Sequence, residues 1–244
     1  MALLEVHHLV KRFGGITAVN DCSFSVKKGS ITSLIGPNGA GKTTAFNLIS
    51  GVIQPNAGKI IFDGHEITNW KPHRITRLGI SRTFQITRDL SEMSVLENIV
   101  VQSPVHGIGD LFRNAVGKAE RDRALSLLDF VGITHLANLK AKNLSYGQKK
   151  LMELAAVMMS DPKLIMLDEP AGGVNPTLLE TIIDRIFELN KKGITFLIVE
   201  HNMDMVMKVC NPVICMAYGS VLSIGTPDEI QQNQQVLEAY LGVG

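Results

Sequence analysis

The segment Gly36-Pro37-Asn38-Gly39-Ala40-Gly41-Lys42-Thr43-Thr44 limits what this chain can fold into more than any other. It reads G-x-x-x-x-G-K-T, with apolar Ile31-Thr32-Ser33-Leu34-Ile35 before it and Ala45-Phe46-Asn47-Leu48-Ile49 after it. That order predicts a strand, a glycine-rich turn and a helix. A helix N-terminus presents unpaired N–H groups and a partial positive charge. Glycines let the preceding loop curl so that further N–H groups converge on one anion. Lys42 adds a full charge near the terminal phosphates, and the Thr43 hydroxyl is placed to ligate Mg²⁺. The expectation is a nucleoside triphosphate held at residues 36–44, by Gly36, Pro37, Asn38, Gly39, Ala40, Gly41, Lys42, Thr43 and Thr44.

The 244 residues suffice for one large α/β domain or for a core with a subdomain. Hydrophobic residues make up 45% and charged residues 19%, so a core can be buried. A formal net charge of +1 leaves no basic footprint for nucleic acid and no polybasic run for anionic lipid. Cys22, Cys210 and Cys215 have no metal or redox spacing, which fits core packing in a reducing cytoplasm. Met1-Ala2-Leu3-Leu4-Glu5 has no charged region leading into a long apolar stretch, so no export signal is expected. No uncharged apolar run approaches the roughly 18 residues that a bilayer requires. A membrane role would therefore run through partners.

The first third reads as β-rich, with strands over Leu4–Leu9, Cys22–Val26 and Lys59–Phe62, the last ended by Asp63-Gly64. Residues 87–160 read as helical. Ala124, Leu127, Leu128 and Val131 recur at helical spacing, and Ser145 is placed to cap a helix that runs to Met159. The last third alternates. Leu164-Ile165-Met166-Leu167 and Ile194–Val199 read as strands buried on both faces. Between them Asn175-Pro176 starts a helix whose apolar face is Leu178, Leu179, Ile182, Ile183, Ile186 and Leu189. This βαβ order predicts a parallel sheet with right-handed crossovers, and an inserted helical subdomain.

The apolar strand from Leu164 ends in Asp168-Glu169. In proteins with a phosphate loop, such an acid sits beside the loop and helps to hold Mg²⁺. Asp168 fits that role, and Glu169 is then placed to orient or deprotonate an attacking water.

Leu144-Ser145-Tyr146-Gly147-Gln148 stands shortly before this strand and resembles the L-S-G-G-Q signature of ATP-binding-cassette (ABC) ATPases. Gln85, in Arg82-Thr83-Phe84-Gln85, lies where that family has its Q-loop glutamine. His201, in Val199-Glu200-His201, lies where it has its switch histidine. Ala171-Gly172-Gly173-Val174-Asn175-Pro176 matches the D-loop. The markers occur in family order, and the resemblance covers essentially the whole chain. It implies a P-loop NTPase fold of class α/β, with a mixed-sheet core, an N-terminal antiparallel β subdomain and an inserted helical subdomain. One domain would span 1–244, its RecA-like core and β subdomain formed by 1–86 and 161–244 and its helical subdomain by 87–160.

The resemblance further implies ATP and Mg²⁺ as cofactors and a second ABC ATPase subunit as partner, in a homo- or heterodimer. Ser145, Gly147 and Gln148, at a helix start, would serve the partner's ATP. Lys42 and His201 would contact the γ-phosphate. Thr43, Gln85 and Asp168 would surround Mg²⁺, and Glu169 would be the general base. Phe13, in Lys11-Arg12-Phe13-Gly14-Gly15, lies where the family carries the aromatic that stacks on adenine, and Val19 would pack beside it.

Tyr146 replaces the first glycine of the usual signature pair, Asn175 replaces the usual D-loop aspartate, and Gly173 departs as well. L-S-Y-G-Q, R-T-F-Q, V-E-H-N-M-D and the ending Glu238-Ala239-Tyr240-Leu241-Gly242 together look like the longer ATPase subunit of branched-chain amino acid importers. That implies integral membrane permease subunits, an external solute-binding protein, and a cytoplasmic place on the inner face of the membrane. A permease helix would dock along Ile86 to Ile99, with Leu90, Met93, Val95 and Leu96 offering apolar contacts. Urea or amide importers and a lipopolysaccharide exporter are the nearest alternatives. A soluble cassette acting on DNA or ribosomes would need two cassettes, long coiled coils or a basic surface.

Overall fold

A computed structural model of the chain describes residues 1–83, 90–103 and 117–241. Strands β1 (Ala2–Phe13), β2 (Ile16–Lys27), β4 (Ala57–Phe62) and β5 (His65–Glu66) form an antiparallel sheet in the order β2-β1-β4-β5. The Asp63-Gly64 turn expected from sequence joins β4 to β5, with both residues at positive φ.

The second sheet has the order β10-β9-β3-β8-β7-β6. Its strands are β3 (Ile31–Ile35), β6 (Ile80–Arg82), β7 (Leu164–Asp168), β8 (Thr195–Val199), β9 (Val213–Ala217) and β10 (Ser220–Gly225). All its neighbours run parallel except β10, which closes antiparallel on β9. The sheet is therefore mixed, as expected. The parallel β3, β7, β8 and β9 end on one edge, so the loops that leave them converge there, where open α/β sheets bind ligands.

Period-two alternation sorts the strand residues between two cores. Leu34, Leu164, Met166, Leu197, Val199, Ile214 and Met216 face the inner cluster, which holds Leu4, Val6 and Ile60 of the antiparallel sheet. Helix α1 (Lys42–Ile49) adds Ala45, Phe46, Leu48 and Ile49 to that cluster. Ile35, Ile165, Leu167, Phe196, Ile198, Val213 and Cys215 face the opposite cluster, which the later helices cover.

After α2 (Pro72–Leu78), the helices α3 (Val95–Val100), α4 (Lys118–Phe130) and α5 (Tyr146–Met158) lie between β6 and β7 and pack on one another. Helix α6 (Pro176–Lys191) presents Ile182, Ile183, Ile186 and Leu189 to the core, the stripe its spacing predicts. Helices α7 (Met203–Val209), α8 (Pro227–Gln232) and α9 (Gln234–Leu241) complete the chain. Among the described residues no helix is long and apolar enough to cross a membrane.

Candidate nucleotide-binding and hydrolytic site

Residues 36–44 leave the end of the central strand β3 and enter α1 directly. Gly41 is the helix N-cap at φ 100, and a β-carbon there would fall 2.5 Å from the Ala18 carbonyl oxygen. No other residue type fits that backbone and that approach. Asn38, Gly39 and Thr43 are exposed along the loop, while Gly36, Ala40 and Lys42 are buried. The Lys42 ammonium donates to the carbonyls of Gly36 (2.7 Å) and Pro37 (3.0 Å). Burial pushes the Lys42 pKa down from its ordinary 10.5, against the upward pull of Glu169, Cys215 and Asp168. The loop and the acidic end of β7 therefore share one electrostatic environment.

Asp168 is buried, and one of its oxygens, Oδ2, accepts a 2.9 Å bond from Arg82 Nη2. Arg82 Nη1 also donates to Asn47 Oδ1 (2.8 Å) and Ser50 Oγ (3.0 Å), which ties β6 and β7 to α1. Asp168 Oδ1 is buried with no hydrogen-bond partner among the described residues. An orphaned carboxylate oxygen suits a hard, hydrated cation such as Mg²⁺. Among the described residues no group of three or more His, Cys, Asp or Glu gathers to hold a metal by itself.

Glu169 adopts φ 50, rare outside glycine and found where backbone strain serves a site. The turn follows the last tie of the β7–β8 pair, where the Glu169 N–H donates to the Val199 carbonyl at 2.9 Å. It brings Glu169 Oε1 to 3.3 Å from His201 Nε2. Both side chains remain partly open to solvent. A carboxylate beside an imidazole, next to a phosphate loop, has the groups needed to hold a water and sense a terminal phosphate.

Ser145 caps α5 as its spacing predicts. Its Oγ accepts from the Gln148 N–H at 3.3 Å, and Gln148 Oε1 accepts from the Ser145 N–H at 2.9 Å. Gly147 is buried because α6 passes close by: a β-carbon there would meet Leu178 Cδ2 at 2.0 Å. Among the described residues no hydrogen bond joins Ser145 or Gln148 to residues 36–44. The helix connects instead to the other side of the site. Lys150 Nζ donates to the Glu169 carbonyl at 3.4 Å and lies 5.5 Å from the centre of the Tyr146 ring.

Phe13 stands 48% exposed at the end of β1, with Lys11 Nζ 5.1 Å from its ring centre. Its ring is open to a flat partner. Val19 corrects the sequence reading: it is fully buried in the inner core and offers no surface beside Phe13. A register shift between the pairs Leu9–Cys22 and Lys11–Val19 turns it inward. Val95 and Leu96 are corrected too, because both are buried inside the helical layer rather than lining a groove. Leu90 is exposed and Met93 half-buried. Gln85 lies outside the described residues.

Three residues escaped sequence reasoning. Arg82 read only as the start of R-T-F-Q and Glu200 as the neighbour of His201, while Lys150 carried no reading. For Arg82 and Glu200 the available signal was a charge directly continuing a buried strand, which demands a partner.

The fold and the site together define a P-loop ATPase with its phosphate loop, the buried Asp168 and the following Glu169 at one sheet edge. The chain belongs to the ABC transporter family, whose model matches residues 19–172, and it is an ATP-hydrolysing cassette of that family. Residues 220–244 match a second family model, described as branched-chain amino acid ATP-binding cassette transporter. The chain is 45% identical, over 99% of its own length and 96% of the relative, to the probable branched-chain amino acid transport ATP-binding protein LivG of Archaeoglobus fulgidus. It is also similar to a solved ATP-binding cassette of an ABC transporter in its ADP conformation, with TM-score 0.88, 36% identity and 99% of each chain covered. A dimeric ATP-binding cassette in a post-hydrolysis state, bound to ADP and Pi, matches at TM-score 0.79 and 25% identity, covering 92% of this chain and 98% of that one.

Proposed function

We propose that this chain is the ATP-binding subunit of a membrane importer for branched-chain amino acids, working in a head-to-tail pair of cassettes. The observation that carries the hydrolytic part is the 3.3 Å approach of Glu169 to His201, beside a buried Lys42 that Glu169 pulls on electrostatically. The match of residues 220–244 to the amino acid transporter model favours that cargo over urea, amides or lipopolysaccharide.

In this reading the triphosphate lies along residues 36–44, with Lys42 and the loop N–H groups on its oxygens and Phe13 against the base. Ser145, Gly147 and Gln148 of the opposing cassette close over the γ-phosphate. Glu169 takes a proton from, or orients, the water that attacks the γ-phosphorus, and His201 holds the γ-phosphate and Glu169 in register. ADP leaves as the bond to its β-phosphate oxygen breaks, and inorganic phosphate is formed. Thr43 and Asp168, with Gln85, would hold Mg²⁺, which when bound supplies charge neutralisation on the phosphates.

Helices α3–α5 form a subdomain set into the core, and the permease couples to the boundary between the two. A cleft of about 160 Å³ opens there, lined by Val52, Pro72, Ile75, Arg82, Gln102 and Val157. A cytoplasmic permease helix that inserts side chains there would lie beside Arg82, and the chain would then sit peripherally on the inner membrane face. An external solute-binding protein would complete the system.

Co-purification with the membrane subunits, followed by ATP turnover in proteoliposomes, tests this. Leucine, isoleucine or valine supplied with its binding protein should stimulate turnover. Stimulation by urea or amides alone would overturn the assigned cargo, and absence of turnover under every condition would overturn the hydrolytic reading.

A further inference from the structure

Beyond the family markers, one buried carboxylate ties the two halves of the catalytic edge together. Glu200 directly follows β8 and is 3% exposed. Its Oε1 accepts from the Ala171 N–H at 2.7 Å. Its Oε2 accepts from the His201 N–H at 2.6 Å and the Asn202 N–H at 2.8 Å. Asn202 in turn caps α7, with Oδ1 accepting from the Met205 N–H at 2.9 Å. A carboxylate is affordable inside a protein when every face of it is met by donors, and this one is met by three.

The position explains the arrangement. The last main-chain bond of the β7–β8 pair is the one from Glu169 to Val199. Beyond it the two chains diverge, one into the Ala171–Asn175 loop and the other towards His201 and α7. The Glu200 side chain spans this divergence. It holds the chain two residues past Glu169 with one oxygen, and the backbone of His201 with the other. The 3.3 Å spacing between Glu169 Oε1 and His201 Nε2 lies across this same clamp.

We propose that Glu200 is a positioning residue for hydrolysis. It fixes the distance between Glu169 and His201 and couples the loop after β7 to the switch histidine, without touching nucleotide. The proposal rests on the reading of Glu169 and His201 as parts of an ATP-hydrolysing site. Glutamine is the informative substitution. It keeps the shape but presents N–H₂ to a backbone donor on one side, so one arm of the clamp is lost.

The test measures ATP affinity and steady-state turnover for the full-length chain, E200Q, H201A and E200Q/H201A, with K42A alongside. E200Q is expected to lower kcat roughly 10- to 100-fold, as small misplacements of catalytic groups do, while ATP affinity stays near that of the parent. In the H201A background, E200Q should remove little further activity, because the spacing it sets has already lost one end. Parental kcat in E200Q overturns the proposal. So does loss of ATP affinity in step with turnover, or fully multiplicative losses in the double variant, since either assigns Glu200 to the fold alone. ATP affinity retained in K42A, or absent turnover in the parent chain, overturns the underlying ATPase reading and this proposal with it. Parental turnover with an unaffected E200Q overturns only the assignment to Glu200.

Discussion

The ring of Tyr146 lies against Gly173, so closely that a β-carbon at position 173 would fall 2.9 Å from Tyr146 Cε1. Gly173 also has φ +69. Two departures from the usual family pattern are thus one contact between the head of α5 and the loop that follows Glu169. Gly173→Ala meets both the steric block and the left-handed backbone. It should destabilise the chain by about 1–2 kcal/mol in urea unfolding. Adding Tyr146→Gly should recover the steric part and leave the backbone part. If the double variant recovers nothing, the ring is not what excludes a side chain there.

The Arg82–Asp168 pair is almost wholly buried, so removing one partner leaves an uncompensated charge. Arg82→Met should cost about 3–5 kcal/mol by denaturant titration, and Arg82→Met with Asp168→Asn should recover much of that loss. Additive losses in the double variant would show that Arg82 acts through Asn47 and Ser50 instead.

Burial lowers the pKa of Lys42, so in the folded chain its charge is lost at a lower pH than the ordinary 10.5. The charged form is the one that binds phosphate. Triphosphate affinity should therefore decline on the alkaline side at a lower pH than an ordinary lysine would impose. Lys42→Arg, whose guanidinium stays charged, should flatten that profile even if it binds more weakly. Isothermal titration across alkaline pH checks this, and identical profiles for the two proteins would contradict it. Lys42→Ala should lose most triphosphate affinity at every pH.

Glu169→Gln keeps the side-chain volume beside His201 but loses the base. It should bind ATP like the parent, lose steady-state hydrolysis, and elute as a nucleotide-dependent dimer on size exclusion. Full turnover in this variant would remove Glu169 from the mechanism.

Much of the fold was legible because short-range chemistry determines it. The caps at Ser145 and Asn175, the Asp63-Gly64 turn and the apolar runs of β7 and β8 each depend on neighbours within a few residues. The site was legible as a set of residue types in order. Its wiring was not. Arg82 meets a partner 86 positions away, and Glu200 meets the Ala171 N–H 29 positions away. A charge after an apolar strand reads as a solvated end until the fold supplies donors. Val19 misled for the opposite reason. Strict alternation back from Cys22 would turn it outward, but the irregularity around Asn20–Asp21, with Asp21 at φ 50, reverses its phase.

The two bonds from Lys42 to the carbonyls of its own loop set a threshold on what can settle there. A newcomer displaces a pair of good hydrogen bonds before it gains the ammonium. A small lone anion offers too few converging oxygens to offset that exchange, whereas a polyphosphate chain fills the whole curl at once. A single side chain that holds its own backbone in this way would favour a polyphosphate over the simple anions around it.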